Sequence, residues 1–184
     1  MKMRLRRNTD VSVATETAPD TALRADPESF AELYRRTFPR VYAYVASLLR
    51  DRSAAEEVTA QAFERAYRRR SSYRPGRGPV DAWLFGIARN AALDELRRRG
   101  RSARFEEEVP VAEAADDLGE GLLRRATVRA ALASLEPRER DLIALKFAGG
   151  LSNAEIARVL GMSESNAGTR LHRTIEKLRR ACHD

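Results

Sequence analysis

The chain has 184 residues, 43% hydrophobic and 33% charged, enough for one large or two small globular domains and too polar for a bilayer-spanning protein. Its formal net charge of +7 favours a polyanionic partner, and ten glycines and seven prolines are too few for a loop-rich β fold. The single cysteine, Cys182, excludes an intramolecular disulfide and a cysteine-based zinc site. His172 and His183 have no ligand partners at useful spacing, so neither a metal nor a cofactor is expected.

Residues 1–25 carry no hydrophobic period and read as a flexible tail. Met1–Arg7 is basic like the start of a signal peptide, but Asn8–Asp20 is too polar to be its apolar core, so a cytoplasmic protein without membrane insertion is expected. Asp26-Pro27 is a helix start. From there Phe30, Leu33, Tyr34, Val41, Val45, Leu48 and Leu49 recur at helical spacing, with a kink or short break expected at Pro39. Ser53-x-x-Glu56 reads as a capping box opening a second helix through Val58, Ala62, Phe63 and Ala66 to about Arg70. After a loop, Ser71–Gly78, a third helix is predicted from about Val80 to Arg99, with Leu84, Ile87, Ala88, Ala91 and Leu96 inward.

Residues 101–123 break the pattern. Seven acids lie between Glu106 and Glu120 with no basic residue among them, the composition of a solvated, flexible linker. Beyond it four short helices are predicted: about Leu122–Ser134, Pro137 to Gly149-Gly150, one capped by Ser152-x-x-Glu155, and one capped by Ser163 with Ala167, Leu171, Ile175 and Leu178 inward. The fold class expected is all-α: two small helical domains joined by an acidic flexible linker, with boundaries at 26–100, 101–123 and 124–184.

Leu151–Arg173 has the layout of a helix-turn-helix. Ala157 is small where two helices approach, and Gly161 allows the tight turn. The second helix presents Ser165, Asn166, Thr169, Arg170 and Arg173, residue types that read base edges early in a helix and hold phosphates at its flanks. A plain helical hairpin with a polar surface would share much of this pattern, but two caps and a turn together favour DNA binding. No glycine-rich phosphate loop, activated nucleophile or metal cluster is present, and a mobile acidic run such as Glu106–Glu108 cannot hold catalytic geometry. No catalytic residue is expected.

Trp83-Leu84-Phe85-Gly86-Ile87-Ala88-Arg89-Asn90, continuing through Asp94-Glu95-Leu96-Arg97-Arg98-Arg99, resembles the promoter-melting helix of extracytoplasmic-function (ECF) sigma factors. Ala55-Glu56-Glu57-Val58, leading to Phe63 and Ala66-Tyr67, is similar to that family's polymerase-docking helix. Leu135-x-Pro137-x-Glu139-Arg140 and the helix-turn-helix resemble its second DNA-reading domain. The resemblance covers about residues 27–100 and 124–180, in the family's order.

The resemblance implies that the first domain, sigma region 2, docks on the largest subunit of core RNA polymerase and reads the −10 element as single strand. The second, region 4, reads the −35 element as duplex and rests on the other large subunit, while the linker threads the RNA exit channel, where its acids would imitate RNA. Polymerase contact then falls to Glu56, Glu57 and Gln61, since Ala60-Gln61 replaces the family's usual Gln-Glu. Contact with −10 DNA falls to Tyr73, Arg74, Arg77, Asn90, Asp94, Arg97 and Arg98, and with −35 DNA to Ser165, Asn166, Thr169, Arg170 and Arg173. Asp94 has two readings, base discrimination or a salt bridge to Arg98. Trp83 divides between packing and stacking on DNA, and Arg68–Arg70 between phosphate contact and a solvated helix end. Ala167-Gly168 stands where the family has Val followed by a basic residue, so the −35 sequence does not follow. An anti-sigma factor restrains many family members, and no residue decides whether one acts here. A helix-turn-helix regulator binding operator DNA without polymerase is the alternative, but it leaves residues 27–100 unexplained.

Overall fold

A computed structural model of the chain describes residues 27–102 and 120–182. The described residues form seven α-helices: α1 (Pro27–Leu49), α2 (Arg52–Arg69), α3 (Val80–Ser102), α4 (Glu120–Ala133), α5 (Pro137–Phe147), α6 (Asn153–Leu160) and α7 (Glu164–Ala181). Two short 3₁₀ turns, Arg70–Ser72 and Pro75–Arg77, join α2 to α3. Asp26 and the acids from Glu106 to Asp117 lie outside the described residues. The seventh acid, Glu120, opens α4, so helix begins inside the stretch assigned to the linker.

α1 to α3 pack on one another as one bundle, and α4 to α7 as a second. α1 is continuous through Pro39, so of the kink or short break expected there no break occurs. An interior proline costs about 3 kcal/mol, yet Phe30 and Leu33 before it and Val41, Tyr44, Val45 and Leu49 after it are all buried in one core. Burial on both sides of the proline keeps the helix whole. Tyr34, expected on that inward face, is exposed, as is Leu96 on α3.

The start of α2 departs from expectation. Asp51 is the N-cap and accepts a hydrogen bond from the Ala54 amide at 2.9 Å. Ser53 lies inside the helix, and Glu56 accepts a bond from Arg52 Nε at 3.2 Å instead of closing a box. Asp51 stands two residues earlier with a carboxylate, a better acceptor for orphan amides than a hydroxyl.

In the second bundle the caps at Ser152, Gly161 and Ser163 are those the sequence implies, while α5 opens with a Glu136–Glu139 capping box that the sequence reading did not name. Ser152 Oγ accepts from the Glu155 amide while the Glu155 carboxylate accepts from the Ser152 amide at 2.7 Å. Gly161 closes α6 at φ +66°, a left-handed conformation that glycine adopts without penalty. Ser163 then caps α7 by accepting from the Asn166 amide.

The bundles share an interior. Asp141 to Leu145, five consecutive residues of α5, are all buried, which one face of a single helix cannot provide. α5 lies between α1 on one side and α6 and α7 on the other, and α6 packs on α3. Gly149, just past α5, lies so close to Phe85 that a Cβ there would come within 2.8 Å of the ring and 2.7 Å of the Leu145 carbonyl.

Ser152→Ala should cost about 1 kcal/mol in urea denaturation, whereas Ser53→Ala should stay within about 0.5 kcal/mol. Equal losses at the two serines would contradict the capping pattern.

Candidate nucleic-acid interface

On α2, Glu56 and Glu57 are exposed and Gln61 is half-buried. Gln61 Nε2 donates to Glu57 Oε1 at 3.1 Å, which joins two of the three side chains assigned to polymerase docking. Glu57, Gln61 and Arg65 form one wall of an open groove of about 580 Å³, opposite Asp94, Glu95 and Arg98 of α3. Candidate docking residues and candidate −10 residues therefore line one surface feature.

The Ser71–Gly78 loop is more ordered than its composition suggests. Tyr73, placed in the sequence among DNA contacts, is buried; its hydroxyl donates to the Gly78 carbonyl at 3.0 Å and its ring packs 5.4 Å from that of Trp83. The apolar ring finds more contact under the loop than above it, so Tyr73 braces the loop from inside. Trp83 resolves to the packed reading, against the core. Arg74 and Arg77 remain on the surface. Arg74 Nη1 donates back to the Ser71 carbonyl at 2.8 Å, which pre-positions its guanidinium.

On α3, Asn90, Asp94, Arg97 and Arg98 are exposed. Asp94 does form an ion pair, but with Arg97 at 2.8 Å and not with Arg98. Arg98 is taken by Glu95, through Nη2 at 2.7 Å and Nε at 2.8 Å. Glu95 also accepts from Arg99 at 2.7 Å, and Arg99 reaches on to Asp51 at 3.1 Å. Hydrogen bonding from Arg98 first, and from Arg99 after it, pulls the Glu95 carboxyl from the ordinary 4.5 down to about 2. The arginine run is thus organised by one acid. Of the Arg68–Arg70 group, Arg68 pairs with Glu64 at 2.6 Å and Arg70 lies 4.1 Å over the Tyr67 ring.

On α7, Ser165, Asn166, Thr169, Arg170 and Arg173 are all exposed, while Ala167, Leu171 and Thr174 are buried. Thr174 was not among the inward residues expected; its hydroxyl is satisfied by donating to the Arg170 carbonyl at 2.9 Å. Arg170 Nε donates to Asn166 Oδ1 at 3.0 Å, tying an amide that could read a base to a guanidinium that could hold a phosphate. Gly168 faces Asn153 of α6, and a Cβ there would sit 3.5 Å from Asn153 Nδ2, an ordinary contact.

Comparison with known proteins accounts for both bundles. The family model for Sigma-70 region 2 matches residues 33–102, and that for Sigma-70, region 4 matches residues 125–178. RNA polymerase sigma factor CarQ of Myxococcus xanthus is 34% identical over 156 residues, covering 83% of this chain and 88% of CarQ. The chain belongs to the sigma-70 family, in its ECF class. ECF sigma factor SigK of Mycobacterium tuberculosis is 31% identical over 160 residues, covering 84% of this chain and 86% of SigK. The fold is also that of the sigma factor RpoE from Bartonella quintana, solved with the anti-sigma factor NepR: TM-score 0.70, 24% identity, 84% of this chain and 96% of that one.

In this sigma factor most of the candidate contact residues lie on exposed faces, and the contacts between its two regions are what sequence reasoning missed. Tyr44 Oη donates to Asp141 Oδ1 at 2.8 Å, and Arg89 Nε donates to Asp141 Oδ2 at 2.6 Å. Burial, and after it the Asp141 carboxylate, hold the Tyr44 phenol well above its ordinary pKa, so it remains a donor. Arg40 divides its guanidinium between Asp81 at 2.7 Å and the Gly149 carbonyl at 2.8 Å. Arg158 Nη1 donates to the Arg77 carbonyl at 2.6 Å. One signal was available for Asp141. It stands one turn before Leu145, so the helical period that buries Leu145 buries an acid too. Among the described residues no group of three or more His, Cys, Asp or Glu could hold a metal ion, and no helix is long and apolar enough to cross a membrane.

Glu95 gives the acid stability of region 2 a distinct signature. Its folded pKa lies below its unfolded one, so its contribution is full above pH 4.5 and is lost as pH falls toward about 2. Glu95→Gln should lower stability at pH 7 and flatten the stability profile across that window, as read from urea midpoints. A profile parallel to wild type would remove Glu95 as the organiser of the arginine run.

Proposed function

We propose that this sigma factor binds both large subunits of core RNA polymerase, recognises −35 and −10 promoter elements and initiates transcription in the cytoplasm. The observation that carries the reading is the pair of family matches, region 2 and region 4, on one chain with both candidate DNA-reading faces exposed. An operator-binding regulator would account for α6 and α7 and leave the region 2 match over residues 33–102 without a purpose. An anti-sigma factor, such as RpoE has in its crystal structure, is a further partner in this proposal.

The roles divide by chemistry. Glu56, Glu57 and Gln61 on α2 offer acceptors and an amide for docking to polymerase. Asn90 both gives and accepts hydrogen bonds, as reading an unpaired base requires. Arg74, Arg77, Arg97 and Arg98 hold the strand, and Asp94 tunes Arg97 instead of approaching DNA alone. Tyr73 supports the loop from beneath. On α7, Ser165, Asn166 and Thr169 face base edges, while Arg170 and Arg173 face phosphates. In this proposal region 2 takes residues 26–100 and region 4 residues 124–184, although α3 runs on to Ser102 and α4 begins at Glu120.

Reconstituted holoenzyme tests the reading. With wild-type chain, permanganate should detect unpaired thymines near −10 that depend on core polymerase. Asn90→Ala should keep polymerase binding and lose thymine reactivity about tenfold, the scale of one or two base contacts. Opening without core polymerase, or undiminished reactivity in Asn90→Ala, would contradict the assignment.

The −35 roles separate on a panel of −35 variants at two salt concentrations. Asn166→Ala should reorder the panel, each good base contact discriminating by roughly 1–3 kcal/mol. Arg173→Ala should lower all members alike and reduce the salt dependence by about one phosphate contact. Arg173 suits the comparison better than Arg170, whose removal would also release Asn166. The opposite pattern would mean that α7 docks in another orientation.

A further inference from the structure

α7 carries no side chain at position 168, among the residues assigned to the −35 element. Gly168 is half-buried and lies one turn from Ser165 on one side and from His172 on the other, both exposed. Its backbone has no need of glycine: φ is not positive, and inside a helix glycine is less stable than alanine. Beside it stands Asn153, the first residue of α6, whose Nδ2 lies 3.5 Å from where a Gly168 Cβ would be. We propose that Asn153 is a further −35 contact, its amide turning out past Gly168 to donate to a backbone phosphate of the duplex; this rests on the sigma-factor reading of α7 above.

The Asn153 side chain is poorly satisfied where it lies. Its Oδ1 is enclosed without a hydrogen-bond partner, although the residue as a whole is only half-buried. A buried amide oxygen without a donor has given up water and received nothing in return. No bond holds the amide in place by that oxygen, and rotation about the side chain's own bonds would return it to water. Gly168 leaves the way out clear. A Cβ there would already be in van der Waals contact with the amide nitrogen, and a longer side chain would compete with the amide for the same space.

The position of Asn153 selects a phosphate over a base edge. In a helix-turn-helix the first helix crosses the sugar–phosphate backbone while the second enters the groove. Asn153 opens that first helix, where the leading amides have no partner within the helix and the dipole favours an anion. The acid of that turn, Glu155, is turned back on Ser152, accepting from its amide and its hydroxyl at 2.7 Å each. An amide nitrogen donates to a phosphate oxygen without carrying charge. It displaces no counterion, so the contact adds affinity without adding salt dependence, unlike that of an arginine.

Holoenzyme reconstituted from core polymerase and the full chain tests this on a duplex promoter fragment that the wild-type holoenzyme selects from genomic DNA. Asn153→Ala should weaken binding of that fragment on the order of tenfold, as loss of a hydrogen bond to a charged group does. The factor should be the same across a panel of −35 sequences, and the salt dependence should match wild type. The thermal midpoint of the free chain should hold or rise, because the unbonded oxygen is gone; a merely structural Asn153 would lower midpoint and affinity together. Asn153→Asp keeps the shape and repels a phosphate, so it should weaken binding further, and it decides the matter if Asn153→Ala loses helicity. On fragments carrying single neutral methylphosphonates through the −35 element, one substitution should weaken wild type and leave Asn153→Ala unaffected. Wild-type affinity in both folded variants overturns the proposal. So does a reordered −35 panel, which would make Asn153 a reader of bases, or a scan in which no phosphate is shared with Asn153. A wild-type holoenzyme that selects no fragment would instead sink the functional reading, and this contact with it.

Discussion

The buried carboxylate of Asp141 is the point on which the arrangement of the two regions depends. An isolated ionised acid inside a protein costs far more than a domain can spare, so it must be fully partnered or neutral. Here each oxygen has one strong donor, a phenol held un-ionised and a guanidinium that cannot lose its proton. Both donors come from the other bundle. Region 4 therefore buries α5 on both sides only where region 2 offers Tyr44 and Arg89 in register, which apolar packing alone would not demand. Hydrophobic contact sets how strongly the bundles adhere, and the carboxylate sets where.

Much of the fold was legible because helical periodicity and capping chemistry are local. The cap at Ser163, the Ser152–Glu155 box and the left-handed Gly161 all stand where the sequence placed them. The misses arose where a local signal competed with a stronger neighbour or with packing. Ser53-x-x-Glu56 has the spacing of a capping box, but Asp51 holds the cap two residues earlier. Pro39 allows a kink or a short break, and with both sides of it buried the helix is not broken. Leu96 fits an inward period yet faces outward, toward the charged end of α3.

The candidate site divides in the same way. Residues assigned by type and helix position, such as Asn90 and the five on α7, are on exposed faces. What could not be read was pairing. Glu95 could have answered any of several arginines, and only the three-dimensional spacing shows that it takes Arg98 and Arg99 while Asp94 takes Arg97. Tyr73 was placed among the −10 contacts because its loop resembles the one with which the family grips a base, and nothing local reveals that the ring points under the loop to Trp83. Asp141 was overlooked because its partners lie 97 and 52 residues away.

These pairings bear on how the exposed arginines of a chain of net charge +7 would meet a polyanion. Arginines that already answer an acid do not meet a phosphate without cost, since part of the gain replaces an existing ion pair. Exposed pairs such as Arg97–Asp94 give up little, because surface ion pairs contribute no more than about 1 kcal/mol. Arg98 and Arg99 give up more, because Glu95 is mostly shielded from water, its side chain only 13% exposed. If region 2 holds a strand as proposed, Arg97 would yield to it readily, whereas Arg98 and Arg99 would yield only where a phosphate lies in good geometry. Asn166 and Arg170 would carry the same principle to region 4, since the guanidinium proposed to hold a phosphate is bonded to the amide proposed to read a base. On the proposed assignments, the strength of a backbone contact in either region would be limited by a neighbour on the protein, leaving more of the discrimination to bases.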